Sequence, residues 1–342
     1  MPLLEVDHLC VTLHTHRGQV SAVRDLSFTL ERGGTLGLIG ESGCGKSLTA
    51  LALMGLLPDN ASTGGSVRLH GQSLLDLNEA GWSQLRGNRM AMIFQEPMTA
   101  LNPVHPIGRQ VAEPLRRHQG LGARSAQSEA LSLLERVGIP HAAQRLGDYP
   151  HQFSGGQRQR IMIAMALACQ PDVLIADEPT TALDVTVQQQ ILDLIADLVD
   201  ERGMGLILIS HDLGVISQNV DQMLVMYGGS VVESGPTDTL FRHMAHPYTR
   251  GLLAARPQLG AARLPDGRMP PLQTIAGTVP ELADLPAGCA FSGRCSYTQP
   301  QCRSQRPVPV PQDGSDRHWA RCLRPEAMAA LPPAGTVAGS SA

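Results

Sequence analysis

GESGCGKS, residues 40–47, lies between the apolar segment TLGLI and an apolar stretch that ends at Leu57. It matches the pattern G-x-x-x-x-G-K-[ST], in which glycines let several backbone N–H groups point inward at phosphate oxygens. A buried strand before the pattern and a helix after it are the required context, because a helix N-terminus stabilises a bound anion. A plain glycine-rich turn is the alternative, and the flanking segments disfavour it. The sequence therefore predicts a phosphate-binding loop.

Side chains at the end of this loop add to the backbone contacts. Lys46 can reach the β- and γ-phosphates of a nucleotide, and the Ser47 hydroxyl can bind Mg²⁺. The nucleotide-binding residues expected from this segment are Gly40, Glu41, Ser42, Gly43, Cys44, Gly45, Lys46, Ser47 and Leu48.

The stretch VLIADEP, residues 173–179, supplies the second half of such a site. Its apolar residues predict a buried strand that brings Asp177 and Glu178 to its C-terminal end, where α/β folds bind ligands. Asp177 would hold Mg²⁺ through its water shell, and Glu178 would polarise the attacking water as general base. Two adjacent carboxylates can also form a solvated strand end, but a phosphate loop elsewhere in the chain favours the catalytic interpretation. Kinases, GTPases and helicases share both features.

Composition limits the classes of function. The 342 residues include 27 Lys and Arg against 31 Asp and Glu, and this net charge of −4 predicts no basic surface for nucleic acid. No apolar run approaches the roughly 20 residues that a membrane-spanning helix needs. The N-terminal segment carries Glu5 and Asp7 and does not resemble a signal peptide. We therefore expect a cytoplasmic protein that reaches a membrane only through partner subunits.

Short apolar strands alternate with helical segments along most of the chain. Apolar alternation over residues 3–13 and 20–30 predicts antiparallel strands. Residues 35–40, 173–177 and 206–210 are almost entirely apolar and predict buried strands of a parallel sheet. Buried strands that alternate with helices indicate an α/β fold.

FSGGQRQR, residues 153–160, resembles the signature motif LSGGQ of the ABC transporter ATPases. Phe153 stands where the family usually has Leu, and the next four residues match: Ser154, Gly155, Gly156 and Gln157. A Ser and two glycines at a helix start form a further anion-binding turn. The resemblance implies that this turn closes on the γ-phosphate of an ATP held by a second subunit, so that hydrolysis requires a dimer.

Other landmarks of the family follow in order. Gln95 in MIFQEP matches the glutamine that contacts Mg²⁺ and couples to membrane subunits, Asp184 in TALD matches the loop that touches the opposite subunit, and His211 matches the switch histidine. The resemblance implies catalytic roles for Glu178, His211, Lys46 and Gln95, and Mg²⁺ contacts from Ser47, Gln95 and Asp177. The family usually stacks adenine on an aromatic residue where this chain has Leu13, so the base contact stays open.

The resemblance also implies an architecture. It is the P-loop NTPase fold of ABC ATPases, with a mixed sheet core, an antiparallel β subdomain and a helical subdomain. We assign residues 1–256 to this nucleotide-binding domain, with the helical, permease-contacting subdomain at about 97–165. Residues 257–324 are Pro-rich with little periodicity and predict a small, loop-rich C-terminal metal-binding region, and residues 325–342 predict a disordered tail.

Four longer segments are similar to the ATPases of oligopeptide, dipeptide and nickel importers, and specifically to the first of their two ATPase subunits. They are FQEPMTALNP (94–103), MYGGSVVESG (226–235), HPYTRGLL (246–253) and VPELADLPAGCAFSGRC (279–295). The resemblance implies a heterodimer with a second ATPase, two membrane permeases and an extracytoplasmic solute-binding protein, and a peripheral position at the cytoplasmic face of the inner (plasma) membrane. Peptides are the expected solute, with nickel or another small solute as the alternative. A non-transport ABC ATPase is disfavoured, because the chain has one nucleotide domain and no sustained heptads.

Four cysteines cluster near the C-terminus with the spacing C-x5-C-x6-C-x19-C: Cys289, Cys295, Cys302 and Cys322. In a reducing compartment such a cluster indicates a metal site before disulfides. Zinc ribbons usually bring cysteines in close C-x2–4-C pairs, so the wider gaps favour a [4Fe–4S] cluster, with Zn²⁺ as the alternative. Some members of the resembled family carry an iron–sulfur cluster at a matching set of cysteines.

Overall fold

Two β-sheets pack against each other in the computed structural model, which describes residues 2–95, 100–180, 184–255, 274–312 and 314–326. The strands are β1 Leu4–Thr15, β2 Gly18–Leu30, β3 Thr35–Ile39, β4 Ala61–Leu69, β5 Gln72–Ser73, β6 Met90–Ile93, β7 Val173–Asp177, β8 Gly205–Ser210, β9 Gln222–Tyr227, β10 Ser230–Pro236, β11 Val310–Gln312 and β12 Ser315–Ala320. The helices are α1 Lys46–Leu53, α2 Glu79–Leu85, α3 Ile107–His118, α4 Ala123–Arg136, α5 Ala142–Arg145, α6 Gly155–Leu167, α7 Val185–Arg202, α8 Leu213–Asn219, α9 Thr237–Arg242, α10 Pro247–Ala254 and α11 Pro300–Ser304.

The larger sheet has the strand order β11-β12-β10-β9-β3-β8-β7-β6. Its pairings from β9 through β3, β8 and β7 to β6 are parallel, whereas β10, β12 and β11 add to the sheet in antiparallel fashion. Alternate residues of β7 enter different cores, because successive side chains of a strand point to opposite faces. Val173 and Ile175 pack toward the smaller sheet, and Leu174 and Ala176 pack toward the helices. This is the mixed sheet core that the family resemblance implies.

The smaller sheet is antiparallel, with the order β2-β1-β4-β5. Its first hairpin pairs Leu4 with Leu30 and Thr15 with Gly18, which confirms the two predicted antiparallel strands. The apolar side chains that β1 turns inward, among them Leu9 and Val11, are fully buried against the larger sheet. The loop that follows β3 therefore lies beside two packed sheets.

A helical layer formed by α3, α4, α5 and α6 covers the other face of the larger sheet. Helix α3 buries Ile107, Val111 and Leu115, which recur at four-residue spacing and form one apolar stripe. The start of the predicted helical subdomain, residues 97–99, lies outside the described residues. None of the described helices is long and apolar enough to cross a membrane.

The C-terminal region is joined to the larger sheet through β12, which pairs with β10 at Glu233↔Ala320 and Ser234↔Trp319. Glu233 and His318 are completely buried there, and His318 Nε2 lies 3.0 Å from Glu233 Oε1. Sequence reasoning expected a loop-rich region here and did not identify its two strands. Residues 256–273 and 327–342, which include most of the predicted tail, lie outside the described residues.

Candidate functional site

The predicted phosphate loop connects β3 to α1, and its glycines adopt conformations that other residues avoid. Gly43 has φ +80° and Gly45 has φ +104°. A Cβ on Gly45 would lie only 2.7 Å from the Ala22 carbonyl oxygen of the neighbouring sheet, so that a larger residue would collide with backbone. The chain thus curls tightly before α1 begins at Lys46, as a phosphate-binding loop requires.

Lys46 is buried beneath the loop. Its Nζ donates hydrogen bonds to the carbonyl oxygens of Gly40 and Glu41 at 2.7 and 3.2 Å. A phosphate oxygen in the loop would compete with these carbonyls for the ammonium group. Cys44, in the middle of the loop, is also buried, and burial raises the pKa of its thiol. Its thiol is therefore neutral near pH 7 and serves as packing.

Asp177, the last residue of β7, lies beside this loop. Its side chain is only 4% exposed, and its Oδ1 has no hydrogen-bond partner among the described residues. Burial raises the pKa of Asp177 most strongly, Glu178 raises it further, and a hydrogen bond from Ser47 and the charge of Lys46 lower it. An unpartnered, buried carboxylate oxygen next to a serine hydroxyl is a fitting donor set for a divalent cation. Both Mg²⁺ contacts predicted from the loop and the strand are thus in one place.

Glu178 follows directly, in a strained backbone conformation with φ +46°. Non-glycine residues seldom adopt positive φ, and where they do they often lie at functional sites. The conformation is fixed by a hydrogen bond of 3.0 Å from its N–H to the Ile209 carbonyl oxygen of β8. Its Oε2 accepts a hydrogen bond from Gln95 Nε2 at 3.1 Å, and His211 Nδ1 lies 3.3 Å from the same oxygen. Three of the four predicted catalytic residues therefore meet at one carboxylate.

The signature segment starts α6. Ser154 and Gln157 form a reciprocal capping box, in which Gln157 Oε1 accepts from the Ser154 N–H at 3.1 Å. Asp184 caps α7 by accepting from the Val187 N–H at 2.9 Å, and a Cβ on Gly156 would lie 2.9 Å from Val187 Cγ1. The signature turn and the start of α7 are therefore neighbours. Among the described residues, the hydrogen bonds of Ser154 and Asp184 lie within their own helix starts and do not reach the phosphate loop.

Two further positions differ from the family pattern. Phe153 is buried in the helical core, with the Arg145 guanidinium 3.9 Å from its ring centroid. Its aromatic ring thus fills a core position and keeps the turn that follows it anchored. Leu13 lies in β1 opposite Val20, half-buried, and the adjacent His14 is held by Ser62 Oγ at 3.2 Å. The structure gives the adenine contact no aromatic residue at this position.

Sequence reasoning missed two residues that touch the phosphate loop from the C-terminal side. Arg294 forms a bidentate ion pair with the Glu41 side chain, at 2.6 and 3.0 Å, and this pairing raises the pKa of the guanidinium. The Tyr248 hydroxyl accepts a hydrogen bond of 2.8 Å from the Glu41 N–H. Neither contact leaves a sequence signal, because its partners are more than 200 positions apart.

The four C-terminal cysteines line one small cavity together with His246 and Phe291. All four are free thiols, and burial raises the pKa values of Cys289, Cys295 and Cys322, the last to about 11. In the part of the chain that the structure describes, no three His, Cys, Asp or Glu side chains are arranged to hold a metal ion. The cysteines therefore share a cavity, and the metal predicted from their spacing stays a proposal.

Two protein families match separate parts of the chain. The family described as ABC transporter matches residues 23–181, which contain the phosphate loop, the signature turn and the acidic strand end. The family described as oligopeptide/dipeptide transporter, C-terminal region, matches residues 232–302, from β10 to the third clustered cysteine.

Relatives and solved structures extend these matches. A putative peptide import ATP-binding protein from Brucella abortus is 51% identical over 308 residues, which cover 90% of this chain and 91% of the relative. A second one from the same organism is 47% identical over 336 residues, covering 96% and 99%. A dimeric ATP-binding cassette bound to ADP and Pi superposes with a TM-score of 0.61 at 24% identity, covering 68% of this chain and 98% of that one, and supports the fold. The cbiO1 protein from Clostridium perfringens, part of the ABC transporter complex cbiONQ, has a TM-score of 0.60 at 26% identity, covering 70% and 90%. The chain therefore belongs to the ABC transporter ATP-binding proteins, a family of ATP hydrolases, and to the branch that carries an oligopeptide/dipeptide transporter C-terminal region.

Proposed function

We propose that this chain is the ATP-hydrolysing motor subunit of a membrane importer for di- or oligopeptides. The observation that carries the proposal is the meeting of Gln95, Glu178 and His211 at one carboxylate oxygen, beside a phosphate loop and a buried Asp177 whose Oδ1 has no partner among the described residues. These are the parts that ATP hydrolysis needs: a phosphate cradle, a cation site and a base.

Each residue has a role that follows from its position. Backbone N–H groups of the phosphate loop bind the phosphates, apart from that of Glu41, which donates to Tyr248, and Lys46 exchanges its loop carbonyls for phosphate oxygens. Ser47, Asp177 and Gln95 would hold the Mg²⁺ that accompanies ATP, and this cation would offset the phosphate charge. Glu178 accepts the proton of the attacking water, and His211 contacts the γ-phosphate side of the same site. The strained φ of Glu178 fixes its carboxylate toward that site.

The signature turn acts on a second subunit. Ser154, Gly155, Gly156 and Gln157 form the N-terminal turn of α6, whose orphan N–H groups favour an anion. We propose that this turn and Asp184 cover the ATP of a partner ATPase, and that the partner's turn covers the ATP held here. Closure of the two subunits would then move the membrane permeases. Gln95 would couple the ATP site to the helical layer that contacts them.

The partners and the place of action follow from this role. We propose a different ATPase chain as the dimer partner, two permeases, an extracytoplasmic solute-binding protein, and a peripheral position on the cytoplasmic face of the inner membrane. Two relatives named as putative peptide import proteins, each covered over at least 91% of its length, support peptides as the solute. Nickel or another small solute is the second candidate.

Uptake into proteoliposomes tests the proposal. The chain is purified with its permeases and second ATPase, reconstituted with ATP enclosed, and supplied with the binding protein and radiolabelled di- or tetrapeptides or ⁶³Ni²⁺. We expect ATP-dependent peptide accumulation that the Lys46→Ala variant abolishes. Accumulation of nickel alone would overturn the peptide assignment, and accumulation that persists in the Lys46→Ala complex would overturn the motor role.

We further propose that the cysteine cavity holds a [4Fe–4S] cluster. All four cysteines line one cavity, yet they lack the arrangement for a single ion. A [4Fe–4S] cluster is held by four cysteine thiolates, and the wide spacing of these cysteines along the chain supports it over Zn²⁺, which usually takes close C-x2–4-C pairs. Iron, sulfide and zinc analysis of protein purified without oxygen tests this proposal. Stoichiometric iron and sulfide that are lost in Cys295→Ser support it, and zinc alone or no metal contradicts it.

A further inference from the structure

Glu41 is an acidic residue inside a loop that must bind a highly charged anion. The loop attracts phosphate through its N–H groups and Lys46, and a bare carboxylate in the same loop opposes that attraction. In this structure the carboxylate is paired by Arg294 in a bidentate ion pair, with Nη1–Oε2 at 2.6 Å and Nη2–Oε1 at 3.0 Å. The guanidinium comes from the C-terminal region, 253 positions away.

Arg294 is held in place on all sides. Its side chain is only 7% exposed, its Nε donates to the Ala276 carbonyl oxygen at 2.9 Å, and its Nη1 lies 3.5 Å from the Tyr227 hydroxyl. Its guanidinium carbon also lies 5.8 Å from the ring centroid of Tyr227 and 6.0 Å from that of Phe291. A buried, bidentate pair of this kind fixes both partners, unlike an exposed ion pair.

The backbone of Glu41 is fixed as well. Its N–H donates to the Tyr248 hydroxyl at 2.8 Å, and its carbonyl oxygen accepts from Lys46 Nζ at 3.2 Å. The rings of Tyr248 and Tyr227 meet edge to face at 4.7 Å, and Phe291 packs against both. One aromatic cluster thus connects the Glu41 backbone to the segment that carries Arg294.

We propose that Arg294 is a positioning residue of the ATP site, which neutralises Glu41 and holds its carboxylate away from the phosphates. The nucleotide-binding domain is then incomplete without its C-terminal region. The inference rests on the proposed ATPase function and adds to it a residue outside the motifs of that domain.

Variants that remove one or both charges of the ion pair test this inference. Their affinity for ATP is measured on the full-length chain by competition of Mg·ATP against a fluorescent ATP analogue. In Arg294→Gln the half-buried Glu41 charge is left unpaired, and we expect the Kd for ATP to rise about tenfold. In the double variant Glu41→Gln/Arg294→Gln the charge is gone, and we expect the Kd to return to within about twofold of wild type. At saturating ATP the steady-state kcat of Arg294→Gln should stay near that of wild type while its KM rises.

Arg321 supplies a matched control. Like Arg294, it directly precedes a cysteine of the cluster and ties the C-terminal region to the rest of the chain, through an ion pair of 2.7 Å with Asp25. Its partner Asp25 lies on β2, however, and not on the phosphate loop. We expect Arg321→Gln to leave the Kd for ATP within about twofold of wild type. Thermal melting of every variant, and partial recovery by Arg294→Lys, separate positioning from misfolding.

Two results would overturn the inference. One is equal weakening by Arg294→Gln and Arg321→Gln, which would mean that Arg294 only docks the C-terminal region. The other is a double variant that binds ATP as poorly as Arg294→Gln alone. Wild-type protein that fails to bind ATP would instead contradict the proposed function, so the two failures are distinguishable.

Discussion

Gln95 Nε2 donates a hydrogen bond of 3.1 Å to Glu178 Oε2, and the two residues stand at the carboxyl ends of the paired strands β6 and β7. His211, which follows β8, lies 3.3 Å from the same oxygen. Three neighbouring strands therefore converge on one carboxylate. A base held by two polar neighbours has a fixed orientation, and catalysis depends on that orientation.

The first prediction concerns the two neighbours of the base. Gln95→Ala and His211→Ala should each lower kcat by about tenfold or more, because Glu178 loses a partner that orients it. In a Glu178→Gln background each change should lower the residual rate by a smaller factor than it does alone, since residues that act through one group are not additive. Steady-state phosphate release by the three single and two double variants checks this. Fully additive losses would show that Gln95 and His211 act independently of Glu178.

The second prediction concerns the buried Asp177. Asp177→Asn removes a charge that burial penalises, so we expect the nucleotide-free protein to melt roughly 2–4 °C higher, for a gain of about 1 kcal/mol. The same variant should lose most of the extra stabilisation that Mg·ATP gives the wild type, because the cation loses a ligand. Thermal melting with and without Mg·ATP measures both effects.

Asp172 provides the control for Asp177, at the other end of the same strand. It pairs with Arg89 and lies 3.5 Å from His70. Asp172→Asn should melt lower than wild type and keep the full response to Mg·ATP, the opposite pattern. If Asp177→Asn lowered the melting temperature and kept the response to Mg·ATP, the assignment of Asp177 to the cation site would be wrong.

The third prediction is a pH dependence that comes from His246. This side chain is 1% exposed, and burial lowers its pKa from 6.5 to about 3. A base with a depressed pKa stabilises the fold fully above its unfolded value of about 6.5, and that contribution is lost as the pH falls toward 3, by about 1.4 kcal/mol per pH unit.

A variant isolates this effect from the rest of the chain. The His246 Nδ1 accepts a hydrogen bond of 3.1 Å from the Tyr248 N–H, and Asn at this helix N-cap keeps an acceptor without titrating. Between pH 7.5 and 5.5 the wild type should lose about 1.4 kcal/mol of unfolding free energy more than His246→Asn, by urea denaturation. Parallel pH curves for the two proteins would contradict the assignment.

Local chemistry made the ATP site predictable from sequence. The phosphate loop needs glycines at fixed spacing, as the positive φ of Gly43 and Gly45 shows, and the acidic pair must end a buried strand. Both requirements can be recognised in a stretch of a few consecutive residues. The convergence of Gln95 and His211 on Glu178 could be foreseen only through the family resemblance, because it depends on the order of the strands in the sheet.

The contacts of the C-terminal region were not predictable in the same way. Strand β12 pairs with β10 across about 85 positions, and Arg294 reaches Glu41 across 253. No periodic sequence pattern indicates either contact, because the C-terminal region has few large apolar residues and is rich in proline. The cysteine spacing predicted one metal site; all four cysteines line one cavity, and the metal itself stays a prediction.

The most direct test of the account is the ATPase rate of Glu178→Gln in the complex with its partner ATPase and permeases. The account predicts that the variant binds Mg·ATP with near wild-type affinity, hydrolyses it about 10²–10³-fold more slowly, and accumulates as the closed ATP-bound dimer on size-exclusion chromatography. Hydrolysis near the wild-type rate would contradict the account, because it would remove the base from the site around which Gln95 and His211 are arranged.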